Sequence, residues 1–142
     1  MGDSMKAKEY LSRISYLDNK IDSYKDRIRH YKELAENRTS NLSPNKVQSC
    51  SSKEKMAEAV CSYSDLEAII KEDLLKKQEI VDTISLLNPQ ESNVLYKMYV
   101  DYKPLWTISR EMDRSYSWVT KVHSSGIRNI QNILDSREKA GD

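Results

Sequence analysis

Ser117, Lys121, Ser124 and Arg128 recur at intervals of four, three and four residues, the spacing that brings side chains onto one face of a helix. Each carries a hydrogen-bond donor. Together they form a face able to donate to phosphate oxygens and to reach base edges in double-stranded DNA. Lys121 suits the acceptors of guanine. Trp118, on the flank of this face with Tyr116 and Thr120, suits stacking or contact with a thymine methyl. Lys103, Arg110 and Arg114 stand on the preceding segments, from which cations meet the DNA backbone when a helix lies in a groove. Over residues 88–134 the basic residues Lys97, Lys103, Arg110, Arg114, Lys121 and Arg128 face Glu91, Asp101, Glu111 and Asp113. The basic excess is small and lies towards the C-terminal side.

Other chemistries lack the residues they need. No Ser/His/Asp or Cys/His set, glycine-rich phosphate loop or paired-carboxylate constellation stands out, so an enzyme is not expected. His30 lies among charges and His123 at the edge of an apolar face, and both read as ordinary surface or core histidines rather than metal ligands. Cys50 and Cys61 form no CxxC pattern and suggest two reduced thiols in a cytoplasm, not a zinc site or a disulfide framework. No cofactor is expected. A net charge of +1 over 142 residues argues against wholesale polyanion binding, so any DNA contact must come from local clustering of charge. The N-terminus has no signal-like apolar region, no run approaches the roughly 18 apolar residues of a membrane span, and no membrane partner is expected.

The elements that must position this face read as helices throughout. Charged residues at 32%, three Gly, three Pro and no Phe favour an all-α chain. Ala7, Tyr10, Ile14, Leu17, Ile21, Tyr24, Ile28, Tyr31 and Ala35 alternate by three and four, which is a coiled-coil seam on a helix over about 6–36. Residues 37–52, polar and containing Pro44, read as a flexible loop. Ser51-x-x-Glu54 is a capping-box pattern for a second long helix over about 53–87, with Ser52 and Lys55 as an alternative start. That helix carries two apolar stripes: Met56, Val60, Tyr63, Ile70, Leu74, Val81 and Ile84 keep the heptad, beside Ala59, Leu66, Ile69, Ile80 and Leu87. One stripe pairs with the first helix in a long antiparallel hairpin, and the other is left for a second subunit or the C-terminal part. Lys77 and Glu67 interrupt the first stripe.

Asn88 caps a third helix with Pro89 in its first turn. Val94, Leu95, Met98 and Tyr99 give it an apolar face, and Lys103-Pro104 ends it. Leu105, Ile108 and Met112 mark a short helix, and Trp106 is assigned to the core. Asp113 and Arg114 form a turn. Ser115 then caps a final helix whose inward residues are Val119, Val122, Ile127, Ile130 and Leu134. Gly126 falls on the same inward side, where close approach of a neighbouring helix best accounts for a mid-helix glycine. The chain thus divides into a coiled-coil hairpin, 1–87, and a helix-turn-helix domain, 88–142.

The set Thr107-x-Ser109-x-x-Met112-Asp113-x-Ser115-x-x-x-Val119-x-x-Val122, followed by Gly126-Ile127-x-x-Ile130, resembles sigma factor region 4. Asp113 stands where that family has Gly, and Arg114 replaces an apolar turn residue. The long first helix, the polar loop, the start marked by Ser52, Lys53, Met56, Ala57 and Val60, and the sigma-region-4-like end together resemble the small transcription regulators of phages and prophages of Gram-positive bacteria, the RinA and ArpU type. That resemblance implies a DNA-binding regulator with its recognition helix, about 116–134, in the major groove. Its hairpin would serve homodimerisation or contact with RNA polymerase. Two alternatives come from other classes: a small-terminase-like adaptor for DNA packaging, and a protein-only module that sequesters a host factor.

Overall fold

In the computed structural model every described element is helical. The backbone is described over residues 2–40 and 49–141, and side chains over 6–36 and 64–140. Helix α1 runs Gly2–Ser40, α2 Ser49–Ser85, α3 Pro89–Leu95, α4 Leu105–Met112 and α5 Tyr116–Gly141. Of the expected loop, 41–48 lies outside the described residues, while α1 and α2 extend into the stretch on either side of it. Helix α2 therefore begins ahead of the caps expected at Ser51 or Ser52. The side chains of Cys50, Cys61 and the Ser52–Val60 resemblance set also lie outside the described residues.

Contacts gather Met1–Leu17 and Lys76–Asp142 into one compact unit and Asp18–Leu75 into another. In the first, Ala7, Leu11, Ile14 and Leu17 of α1 share a core with Ile80 and Ile84 of α2, Leu95 of α3, and Ile127 and Ile130 of α5. Residues 88–134 thus share their core with the first turns of α1 and the last turns of α2. Leu11 is fully buried although it stands outside the expected seam. The α1 heptad accounts for one neighbour, whereas here α1 meets α2 and the C-terminal helices together, and a second neighbour widens the buried face. Burying a leucine of this kind contributes about 1.5–3 kcal/mol. Tyr10, expected in the seam, is half-buried, and its hydroxyl lies 3.0 Å from Thr83 Oγ1.

The stripes of α2 are partitioned differently from expectation. Ile70, Ile80 and Ile84 are buried, Leu66 and Leu87 pack against the cores, and Leu74 of the expected first stripe is exposed. The inward line is Leu66, Ile70, Asp73, Lys77, Ile80, Ile84 and Leu87, an unbroken four-three alternation. Two polar members in its middle hide it from a count of apolar residues. In the second unit Asp73 is buried, its carboxylate 3.5 Å from Lys20 Nζ. Ile21 and Ile28 pack there with Ile70, and Tyr24 lies beneath the cations of Lys20 and Arg27.

Helix α3 opens as expected, with Glu91 N–H donating to Asn88 Oδ1 at 2.9 Å and Pro89 in the first turn. It continues as a π-helical turn, Tyr96–Val100, closed by Asp101 N–H to Tyr96 O at 3.1 Å. The wider turn lets consecutive residues serve two clusters: Met98 packs against Val94, Ile108 and Val119, while Tyr99 and Val100 pack against the main core. The helical run stops at Asp101, two residues before Lys103, because Tyr102 turns left-handed at φ 59°.

Candidate nucleic-acid interface

The face of α5 is set by how its first turn and its inward side are held. Ser115 caps the helix, accepting from Trp118 N–H at 3.0 Å. Just before it, α4 ends in a Schellman arrangement, with Arg114 N–H donating to Ser109 O at 3.0 Å and Asp113 N–H to Arg110 O at 3.3 Å. This ending requires a left-handed residue, and Asp113 supplies it at φ 54°, ψ 47°. Aspartate is one of the few residues besides glycine that visit this region readily. The departure from Gly at 113 therefore leaves the backbone turn intact. The Ser109 hydroxyl also donates to Arg114 O, bracing the same turn.

On the inward side, Val119, Gly126, Ile127 and Ile130 are buried, with Val122 and Leu134 half-buried. A Cβ on Gly126 would stand 3.1 Å from Leu95 Cδ1 and 3.2 Å from its Cγ. The glycine thus admits α3 at close range, as its position on the helical wheel requires. A second contact between α3 and α5 is polar: the buried carboxylate of Glu91 accepts from Ser125 Oγ at 2.9 Å and from Asn129 Nδ2 at 2.7 and 2.8 Å. Three bonds to one buried group fix the rotation of α5 about its axis, because they form only when Ser125 and Asn129 face α3. This clamp was missed from sequence. Its signal is the polar pair Ser125 and Asn129, four apart and beside the apolar stripe, which needs a partner from elsewhere.

With that rotation fixed, Ser117, Lys121, Ser124 and Arg128 are all exposed. Arg110 and Arg114 are exposed at the end of α4 and in the turn, and Tyr116 is exposed at the start of α5. The Arg114 guanidinium lies over the Trp118 ring, 4.9 Å from its centroid. A guanidinium held over a ring face by this attraction keeps N–H donors able to meet an oxyanion. Trp118 itself is half-buried against Val94, Ile108 and Val119. Thr120 Oγ1 donates back to Tyr116 O at 2.9 Å, so its proton is engaged within the helix.

Lys103 lies apart from this set in its bonding. Its ammonium donates to both oxygens of Glu111, at 2.7 and 3.0 Å, and Lys97 meets the same carboxylate at 3.2 Å. The hydrogen bond to Glu111 raises the Lys103 pKa. The bonds from Lys103 and then Lys97 lower that of Glu111. The two lysines tie the π-helical turn and the segment after it to α4.

Trp106 corrects the sequence reading: it is 58% exposed, not a core residue. On α4 the inward position is taken by Ile108, with Leu105 and Met112 beside it, and Trp106 falls two residues from Ile108, on the far side of the helix. Arg110, one turn further on, shares that side. Among the described residues no group of His, Cys, Asp and Glu is arranged to hold a metal ion, and no helix is long and apolar enough to cross a membrane.

Compared with family models, curated proteins and solved structures, the chain matches none.

Proposed function

We propose that the protein is a DNA-binding transcription regulator of the phage and prophage type, in which α4, the turn at 113–115 and α5 act as a helix-turn-helix. The observation that carries this reading is the exposed donor face of α5, Ser117, Lys121, Ser124 and Arg128, on a helix locked on its opposite side by Leu95 against Gly126 and on its flank by Glu91. A face of this kind, held rigidly, is what reading base edges in the major groove requires. Arg110 and Arg114 flank it as cations for the phosphates. The protein is not proposed as an enzyme, and DNA is its partner. An antiparallel hairpin of α1 and α2 is supported within each unit, where Tyr10 meets Thr83 and Lys20 meets Asp73. Exposed Tyr16, Leu74, Leu75 and Leu86 on these helices suit a protein partner, either a second copy or RNA polymerase.

Selection of bound duplexes from a random pool tests the reading, followed by titration of the enriched site against salt. Lys121→Ala should relax base preference at one position, by about 1–3 kcal/mol of discrimination. Arg114→Ala should weaken all duplexes alike and reduce the salt slope by about one. If no duplex is held above the nonspecific level at physiological salt, the reading falls. A ring of many subunits in light scattering would favour the packaging adaptor instead.

A further inference from the structure

We propose that a cleft between the start of α1 and the middle of α5 binds a small organic anion, of roughly mononucleotide size, that carries an N–H or O–H donor. The cleft has a volume of about 400 Å³, within the range of pockets that take small organic ligands. Lys8 from α1 and Arg128 from α5 place two cations on its walls against the single carboxylate of Asp135, with the Ser124 hydroxyl and the Asn132 amide as further donors. Its apolar surface is the buried Ile127. These groups suit an anionic end and a flat organic body.

The second requirement comes from Gln131. This residue lines the cleft and is only 6% exposed. Its amide nitrogen donates to Asp135 Oδ1 at 3.0 Å, which fixes the oxygen as the remaining end. That oxygen is buried and has no hydrogen-bond partner. Buried acceptors are costly unless something donates to them, and a ligand's donor meets this one once the Gln131 side chain turns towards the cleft. Inorganic phosphate alone would leave most of the volume empty.

The cleft also holds a natural reporter. Tyr99 Oη lies 3.0 Å from His123 Nε2, and the two rings stack with centroids 5.8 Å apart. Burial, and then the charge of Lys8, hold the imidazole below the ordinary histidine pKa. An anion between Lys8 and Arg128 would offset the field of Lys8 and raise it. Ser124 and Arg128 also belong to the proposed DNA-facing set, so a duplex held there competes with the ligand for them.

Proton NMR of the free protein tests this, since the chain has two histidines and His30→Gln assigns their resonances. The probes are adenosine monophosphate, adenosine, inorganic phosphate and a DNA duplex, each added alone. Adenosine monophosphate is expected to shift the His123 resonances saturably and raise their titration midpoint by about half a pH unit. Adenosine and phosphate should each bind at least about tenfold more weakly, since each lacks one half of the recognition. Lys8→Ala and Arg128→Ala should each weaken adenosine monophosphate about tenfold. Gln131→Leu should also weaken it, with the melting temperature measured beside the parent's because the change removes the donation to Asp135 as well. No saturable shift with adenosine monophosphate, or equal binding by Lys8→Ala and the parent, overturns the proposal. A shift caused by the duplex but by none of the small probes overturns it as well, making the cleft a seat for a DNA phosphate.

Discussion

Replacing Gly126 by alanine sets two effects of known size against each other. Alanine in a helix interior is favoured over glycine by about 1 kcal/mol. The new methyl, however, would stand 3.1 and 3.2 Å from Leu95 Cδ1 and Cγ. Leu95 is fully buried in the core shared with Ile84, Ile127 and Ile130, so it has little room to move aside, and overpacking of this kind costs about 1–3 kcal/mol. The net expectation is a loss of up to about 2 kcal/mol, read as a lower urea midpoint with unchanged slope. Leu95→Ala alone should cost about 2–5 kcal/mol. In that background the clash is gone, so Gly126→Ala should stabilise by about 1 kcal/mol. The double-mutant cycle therefore gives a coupling of about 1–3 kcal/mol and an inversion of sign. Stabilisation by Gly126→Ala of equal size in both backgrounds would show that close approach of α3 is not why the glycine is there. In the parent background the same change should blur the duplex discrimination proposed for this protein, because it pushes α5 away from α3.

Asp113→Gly should raise stability by about 0.5–1 kcal/mol, since glycine takes the φ 54° conformation without Cβ strain; a lower urea midpoint would mean that the aspartate side chain itself supports the turn. Glu91→Ala leaves Ser125 and Asn129 without their acceptor and should cost about 1–3 kcal/mol, with faster amide exchange along α5, whereas Glu91→Gln should keep much of the protection. For His123, burial and Lys8 depress the folded pKa below 6.5. The unfolded chain then binds the extra proton, and stability falls as pH drops from about 6.5 towards the folded value. His123→Gln should flatten that part of a stability profile measured from pH 8 to 5, and an unchanged slope would refute the assignment.

Local signals were legible wherever a single residue type has a narrow conformational use. Asn88 before Pro89, Ser115 ahead of α5 and the glycine on the inward side of α5 act through their own backbone or nearest turn, so each keeps its meaning in any tertiary setting. The exposed positions 117, 121, 124 and 128 followed from the same helical periodicity. Trp106 and Leu11 were misplaced for a common reason. Hydrophobicity measures the gain from burial but carries no direction, and direction on a helix is set by which neighbours arrive. A second neighbour buried Leu11, and none arrived over Trp106. On α2 the seam was hidden because Asp73 and Lys77 occupy inward positions, where a polar residue is tolerable only given a partner such as Lys20.

The sequence by itself determined that this is a helical chain, where α3 and α5 begin, and which side of α5 is polar, because caps, prolines and the 3.6-residue period act within one or two turns. Tertiary structure alone decided how that polar side is held and what stands beside it. The Glu91 clamp joins residues 34 and 38 positions apart. The cleft joins Lys8 to Gln131 across more than a hundred residues of chain. Contacts at such separations depend on which apolar faces meet in the core, and no local pattern encodes that meeting.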